Sequence, residues 1–149
     1  MVLFGLEASD KAEGVRSLAA LFVEKEYVKD TYADAVLQRE EVFPTGLRMV
    51  DLHVAIPHCN VEHCIKAGIA VSVLSSPVKF VEMATNNQVV DTEIVFLLAI
   101  PEPKQQVFWL SRLATLSQTP GFLARLKNVP SSEEGYSVIF QAMRKEGRD

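Results

Sequence analysis

Residues 43–74 read FPTGLRMVDLHVAIPHCNVEHCIKAGIAVSVL, and this stretch predicts how the chain folds. The apolar run 54–56 has the length and residue types of a short β-strand, and it leads into Pro57. Because proline has no N–H for a sheet ladder and fixes its own φ, we expect the strand to stop there and His58 to lie on the turn that follows. Rigid strand ends are where α/β sheets place working residues, so His58 is the first candidate for a functional side chain.

The composition is that of a globular domain with scattered charges. The chain has 149 residues, 48% apolar and 23% charged, and a formal net charge of −4. The length predicts one domain over residues 1–149. Nucleic acid is disfavoured as a partner, because a phosphate backbone selects for clustered lysine and arginine. No apolar run reaches the length of a membrane span and the first residues lack the features of a signal peptide, so we expect a cytoplasmic protein without membrane insertion.

Helical periodicity predicts five helices. Polar residues and a proline mark the start of four of them, and these are Asp10, Asp30, Pro120 and the Ser131–Glu134 pair. The second helix should run to about residue 42, the third over about 104–117, and the fourth to about residue 127. The apolar positions expected on buried faces are Val15, Leu18, Ala19 and Phe22 in the first helix, Ala33, Val36 and Leu37 in the second, Val107, Leu110 and Ala114 with Phe108, Leu113 and Leu116 beside them in the third, and Tyr136, Ile139, Phe140 and Met143 in the last.

Short apolar runs predict the strands of one sheet. Residues 54–56 and 69–74 are expected as strands, the second buried on both faces, and 78–81 as a short edge strand because Pro77 interrupts the run. Residues 93–100 form the most apolar run, which we place at the sheet centre, while the first nine residues are expected to be frayed or an edge strand. Strands flanked by helices predict a layered α/β domain.

The three histidines, His53, His58 and His63, lie close together in the sequence. A neutral imidazole near pH 7 can act as a nucleophile or base, whereas the alternative for a turn histidine is a structural bond to a backbone carbonyl. The repeated pairs His58-Cys59 and His63-Cys64 also raise a metal site. Against it, adjacent ligands rarely converge on one ion, and His53 points to the opposite face of its strand from His58.

The remaining polar candidates have simpler interpretations. Cys59 and Cys64 are the only cysteines, and we expect free thiols that pack against apolar neighbours. Glu40 and Glu41 are expected on the solvated face of the second helix. The glycines never approach the spacing of a phosphate-binding loop, which disfavours a nucleotide-dependent enzyme.

One combination of motifs resembles a known family. Thr45-Gly46 followed by Val54-Ala55-Ile56-Pro57-His58 resembles the motif of mannitol/fructose-type enzyme IIA domains, which belong to the bacterial phosphoenolpyruvate-dependent sugar phosphotransferase system. The resemblance covers nearly the whole chain. Within that family the galactitol-type members are the most similar, and the matching segments are Arg39-Glu40, Phe43-Pro44-Thr45-Gly46, Ala55-Ile56-Pro57-His58-Cys59 and His63.

The resemblance implies a fold and a reaction. The fold would be a mixed central β-sheet flanked by helices. His58 would take a phosphoryl group from the histidine of the phosphocarrier HPr and pass it to a cysteine of a cognate enzyme IIB, and through it to the membrane component IIC. No metal or nucleotide cofactor is needed, because the donor is already a reactive phosphoramidate. Thr45, His63 and backbone N–H groups near His58 would supply hydrogen bonds to the phosphoryl oxygens.

The sequence departs from the family at one position. Many members carry a second active-site histidine early in the helix after the last long strand, and Trp109 stands about there in this chain. His63 is our candidate for that role. Two alternatives stay open: a regulatory IIA-like domain that binds a target according to its phosphorylation state, and a metal-binding module built on His58, Cys59, His63 and Cys64. The sugar itself stays open.

Overall fold

The computed structural model describes residues 2–6, 8–50, 52–85, 87–129 and 131–146, with side chains described between residues 8 and 142. The predicted helix position Met143 therefore lies outside the described side chains. None of the helices in these ranges combines the length and apolarity that a bilayer crossing requires.

A mixed sheet forms the centre of the fold, as predicted. Within the described ranges it has five strands, and these are β1 Val2–Leu6, β2 Gly46–Leu47, β3 His53–Ala55, β4 Gly68–Val81 and β5 Val89–Ala99. Their spatial order is β1-β4-β5-β3-β2. The β1–β4 and β3–β5 pairs are parallel, and the β4–β5 and β2–β3 pairs are antiparallel. The most apolar strand, β5, lies in the middle and β1 lies at an edge, so both placements made from the sequence are confirmed.

The strand that precedes the candidate histidine ends just before Pro57, as the sequence predicted. β3 stops at Ala55, two residues before Pro57. The chain then stays attached to the sheet, because the Leu98 N–H donates to the Pro57 carbonyl at 3.1 Å. A 3-10 turn, Val61–His63, follows in the loop that leads to β4.

The predicted break at Pro77 is wrong. The two predicted strands are one strand, β4, whose pairing with β5 shifts register between Val73 and Val78. Val73 pairs with Ile94 and Val78 with Thr92, so the four residues 74–77 oppose Glu93 alone. Pro77 lies inside this bulge, where the regular ladder is already interrupted and its missing N–H leaves no ladder bond unmade.

Five helices cover the sheet in the described ranges. They are α1 Lys11–Glu24, α2 Tyr32–Val42, α3 Pro103–Gln118, α4 Phe122–Asn128 and α5 Ser132–Glu146. Asp10 caps α1 as predicted, with its carboxylate 2.9 Å from the Glu13 N–H, and Ser131 Oγ accepts from the Glu134 N–H at 3.2 Å. The second helix begins after Thr31 rather than Asp30, and α4 begins after Gly121 rather than at Pro120.

The helices form two apolar layers, one on each side of the sheet. The predicted inner face of α1 is confirmed, since Val15, Leu18, Ala19 and Phe22 are buried. The α3 stripe is only partly right, because Leu113 and Leu116 are buried whereas Val107 and Phe108 are exposed. In α5, Ile139 is buried, but Tyr136 and Phe140 stack on each other at the surface. Both helices carry two adjacent apolar stripes, and periodicity alone does not decide which one faces the sheet.

Candidate functional site

His58 lies in a fixed and nearly enclosed position after β3. Its side chain is buried, and its Nδ1 lies 2.9 Å from the carbonyl oxygen of Ile56. Because a carbonyl oxygen can only accept, Nδ1 carries the ring proton and Nε2 keeps its lone pair. The structural role predicted for this histidine is therefore present, and the same backbone bond leaves Nε2 as the free nitrogen that a nucleophile would need.

The surroundings of His58 favour the uncharged ring. Burial lowers the pKa of His58 below its ordinary value, the bond to Ile56 opposes this shift, and the positive charge of Arg39 adds to it. A neutral imidazole with a free Nε2 at pH 7 is a nucleophile. This is the state that phosphoryl transfer to a histidine requires.

Glu40 was expected on a solvated helix face, and that prediction is wrong. The side chain is 2% exposed, and its two carboxylate oxygens accept from the N–H and the hydroxyl of Thr45, each at 2.7 Å. Burial raises the pKa of Glu40, and the two bonds from Thr45 oppose that rise. The last turn of α2 is thereby attached to the segment that enters β2.

Thr45 is buried and its hydroxyl hydrogen is donated to Glu40. Its predicted donation to a phosphoryl oxygen would therefore require that hydrogen to leave Glu40. The next residue, Gly46, packs closely: a Cβ there would lie 2.6 Å from the Val90 side chain and 2.7 Å from the Val81 carbonyl oxygen. The Met83 N–H also donates to the Gly46 carbonyl at 2.7 Å, so the backbone beside Thr45 is held from both sides.

Arg39 is a candidate that sequence reasoning did not single out by itself. Its guanidinium lies over the Phe43 ring at 5.0 Å, and its Nε is buried without a hydrogen-bond partner among the described residues. A buried guanidinium N–H without a partner is costly unless a ligand satisfies it. The available signal was the Arg39-Glu40 pair, which entered only as part of a family pattern.

Arg39 lines a hollow of about 360 Å³ between α2 and the loop of residues 57–64, which we call the histidine loop. The other residues around the hollow are Ala35, Gln38, Val42, Phe43, Cys59, Asn60, Glu62 and His63. His63 belongs to this group, and its Nδ1 lies 2.7 Å from Thr31 Oγ1 while its Nε2 lies 3.5 Å from Glu62. The structure thus brings His63 and Arg39 to one concave surface next to Cys59, which directly follows His58.

The helix after β5 reaches the histidine loop through Gln106. Its Nε2 donates to the Cys59 carbonyl at 2.7 Å. Trp109, which the sequence placed at the position of the missing histidine, instead packs against the apolar layer formed with α3, α4 and α5. Gln106 is therefore the α3 side chain at the site, and sequence reasoning missed it because an amide in a first helical turn gives no distinctive signal.

The metal-binding alternative lacks a suitable cluster in the described ranges. No group of three or more histidine, cysteine, aspartate or glutamate side chains there is arranged to hold an ion. His53 accepts from the Met49 N–H at 3.1 Å, and the two cysteines are buried free thiols. The described geometry therefore favours His58 as a nucleophile over His58 as a ligand.

Comparison with known proteins gives consistent results. The family described as "Phosphoenolpyruvate-dependent sugar phosphotransferase system, EIIA 2" matches residues 1–142. The chain is similar to the galactitol-specific EIIA component of the phosphotransferase system of Escherichia coli K12, with 28% identity over 129 residues that cover 87% of this chain and 85% of the relative. It is 30% identical over 130 residues to the transcriptional regulator ManR of Bacillus subtilis, covering 85% of this chain and 18% of the regulator.

Among solved structures, the fold is similar to that in the complex of enzyme IIAMTL and phosphorylated enzyme IIBMTL from Escherichia coli. The TM-score is 0.74 at 23% identity, and the match covers 94% of each chain. The likeness covers the whole architecture, including the mixed sheet and its flanking helices.

Proposed function

The chain belongs to the EIIA 2 family of the phosphoenolpyruvate-dependent sugar phosphotransferase system, whose members are phosphotransferase components, and we propose on that basis that it carries a phosphoryl group on His58. The group comes from phospho-HPr and goes to a cysteine of a cognate enzyme IIB. The observation that supports this proposal most is the Nδ1 bond of His58 to the Ile56 carbonyl, which leaves Nε2 as the free nitrogen.

In the proposed reaction, the Nε2 lone pair attacks the phosphorus of the phosphohistidine in HPr. The Nε2–P bond forms as the donor N–P bond breaks, and the electron pair of that bond stays on the HPr imidazole. In the second step a thiolate of enzyme IIB attacks the phosphorus, and the Nε2–P electron pair returns to His58. The Nδ1 proton keeps its bond to Ile56 throughout, so after the second step His58 is again the neutral tautomer that attacked in the first.

The transferred group carries negative charge on three equatorial oxygens, and the site has groups to receive it. Arg39 supplies a cation whose Nε–H has no partner among the residues that the structure describes, and this cation matters in a chain whose formal net charge is −4. His63 and Thr45 stay our proposed hydrogen-bond donors, His63 from the rim of the hollow and Thr45 if its hydroxyl turns from Glu40. We propose no cofactor.

The names of the relatives support our proposals for the partners and the sugar. The solved complex that contains a phosphorylated enzyme IIB supports a cognate IIB as the acceptor. The galactitol-specific relative supports a galactitol-type pathway, with the membrane component IIC reached through IIB. We further propose that the chain works in the cytoplasm as one domain over residues 1–149.

The test is the intact mass of the protein after incubation with phosphoenolpyruvate, enzyme I and HPr. The wild type should gain one phosphoryl group that is lost in mild acid, and His58→Gln should gain none. His53→Gln is the matched control, because His53 makes a backbone bond outside the hollow, and it should gain the group as the wild type does. Phosphoryl uptake by His58→Gln would overturn the assignment of the site.

A second candidate function is regulation. The match to one part of the regulator ManR supports a domain that signals its phosphorylation state to a target. Addition of a cognate IIB separates the two functions. Transfer of the phosphoryl group from His58 to IIB supports transport, whereas a phosphoryl group that stays on His58 in the presence of IIB supports regulation.

A further inference from the structure

The two cysteines of the chain form a buried pair in the histidine loop. Cys59 and Cys64 are 2% and 8% exposed, and both belong to the apolar layer on the α1–α2 side of the sheet. They flank the 3-10 turn Val61–His63, which is closed by a bond from the Cys64 N–H to the Val61 carbonyl at 3.0 Å. The turn brings the two ends of this short segment together.

The pKa values of both thiols are shifted by a hydrogen bond between their side chains. This bond, with burial second, raises the pKa of the Cys59 thiol. The same bond lowers the pKa of Cys64, against the effect of burial, and a backbone hydrogen bond from Ile100 lowers it further. Cys64 is therefore the more acidic of the two thiols. The Cys59 thiol donates to the Asn60 carbonyl at 3.5 Å.

We propose that Cys59 and Cys64 form a reversible disulfide when the protein meets hydrogen peroxide. The Cys64 sulfur attacks one peroxide oxygen, the O–O bond breaks, and a sulfenic acid and one water form. The Cys59 sulfur then attacks the Cys64 sulfur, the S–O bond breaks, and the hydroxyl leaves as a second water with the Cys59 proton. Two thiols are oxidised, one peroxide is reduced, and a thiol reductant reverses the reaction.

The two thiols differ in the way that this order of attack requires. A sensitive cysteine has thiolate character and some access to solvent, and it lies next to a resolving thiol. Cys64 is the more exposed of the two, and Cys59 lines the hollow that opens beside the histidine loop. Neither cysteine has been given a part in phosphoryl transfer, so the pair is free to serve a second purpose.

A disulfide here would act on the proposed phosphoryl site. It holds the sulfur atoms at about 2.05 Å, closer than any hydrogen bond allows, so oxidation draws Cys59 toward Cys64. Cys59 is bonded to Gln106 through its carbonyl and follows His58 directly. A shift of about 1 Å in a reacting group can cost about 100-fold in rate, so we expect phosphoryl uptake to fall by about that factor in the oxidised protein. This consequence, unlike the disulfide itself, rests on the proposed function.

The disulfide is tested on the full chain treated with hydrogen peroxide, denatured and labelled with N-ethylmaleimide. The reduced protein should take up two labels and the oxidised protein none, with dithiothreitol restoring both. Both cysteines lie in the tryptic peptide 49–66. After peroxide treatment this peptide should be lighter by the mass of two hydrogens, and it should not be linked to a second copy of itself. Disulfide-linked dimers, over-oxidation of Cys64, or two labels after treatment would each overturn the proposal.

Single substitutions assign the order of attack. Cys59→Ser should leave Cys64 as a sulfenic acid that dimedone traps, and Cys64→Ser should leave Cys59 unmodified. Dimedone on Cys59 in the second variant, with none on Cys64 in the first, would overturn this order. The wild-type labelling does not depend on either variant being folded, and thermal melts establish which variants can be interpreted.

The effect on function is measured as phosphoryl uptake before and after peroxide, for the wild type and for Cys64→Ser. We expect the wild type to slow after peroxide and recover with dithiothreitol, and Cys64→Ser to be insensitive. A disulfide that leaves uptake unchanged would overturn the coupling to the site. Failure of the reduced wild type to take up phosphate would instead contradict the proposed function while leaving the disulfide result intact.

Discussion

His58 shows how neighbouring atoms can prepare one side chain for chemistry. The Ile56 carbonyl selects its tautomer, and burial with the charge of Arg39 keeps the ring neutral. The folded state therefore binds fewer protons than the unfolded state between the lowered pKa and about 6.5, so this residue contributes stability that is lost as the pH falls through that window.

We expect the NMR titration of His58 to have a midpoint below about 6.5, because its burial disfavours the charged ring. Arg39→Gln should move the midpoint upward, since it removes a nearby positive charge. Arg16→Gln is the control: Arg16 is exposed and paired with Asp34 at 2.8 Å, and its loss should leave the midpoint unchanged. A wild-type midpoint at or above about 6.5 would contradict the argument that burial and Arg39 keep the ring neutral.

Glu40 marks where sequence reasoning about single residues stops. The sequence identified His58 from the proline before it, because the effect of proline on a strand is local. It assigned Glu40 to solvent, because nothing in the helix pattern says that Thr45 folds back to present two donors. Arg39 and Gln106 were missed for the same reason, since their roles depend on contacts that only the tertiary structure creates.

Glu40→Gln should destabilise the fold by about 1–2 kcal/mol at pH 7, because one of the two Thr45 donors loses its acceptor in a buried place. The neighbouring Glu41 is exposed, and Glu41→Gln should change the unfolding free energy by less than about 0.5 kcal/mol. Urea denaturation measures both. Equal effects of the two substitutions would show that the Glu40–Thr45 bonds contribute no net stability.

Among the elements, β3 and β5 were predicted well, β2 was missed because Gly46 was read as part of a turn, and the helix faces were predicted only in part. β3 and β5 are short or strongly apolar, and their ends are fixed by prolines that act within one or two residues. β4 was divided at Pro77 because a bulge, which tolerates proline, has no signature in the sequence. The inner face of α3 depends on the direction from which the helix crosses the sheet, and that direction is a tertiary property.

The short strand β2 depends on the absence of a side chain at its first residue. Gly46→Ala should lower the melting temperature and weaken phosphoryl uptake, because its Cβ would lie within 2.7 Å of the Val81 carbonyl oxygen. Gly14→Ala is the matched control. Its Cβ would meet only Ala8, at 3.7 Å, and alanine should stabilise α1 by about 0.5–1 kcal/mol. A Gly46→Ala protein as stable as the wild type would mean that β2 shifts without cost.

At the scale of the whole molecule, the parallel pairing of β3 and β5 decides where the site forms. Parallel strands end at the same edge of a sheet, so the loop after β3 and the helix after β5 meet there. Gln106 makes the contact by donating to the Cys59 carbonyl, across a separation of 47 residues in the chain.

Gln106→Ala should lower the stability by about 1 kcal/mol and increase hydrogen exchange in the loop 57–64, because the Cys59 carbonyl loses its partner. Phosphoryl uptake should slow as the loop loosens. The adjacent Gln105 is exposed, and Gln105→Ala should leave loop exchange and uptake unchanged. Unchanged loop exchange in Gln106→Ala would mean that the sheet and the 3-10 turn suffice to hold the loop.

The contact between Gln106 and the histidine loop also sets an order in time. A ribosome makes the chain from its first residue, and domains begin to fold as they emerge. His58 is synthesised 48 residues before Gln106. The histidine loop of the nascent chain therefore lacks its contact with Gln106 until α3 has left the exit tunnel. A chain whose translation stops before α3 would present the histidine without the support that positions it.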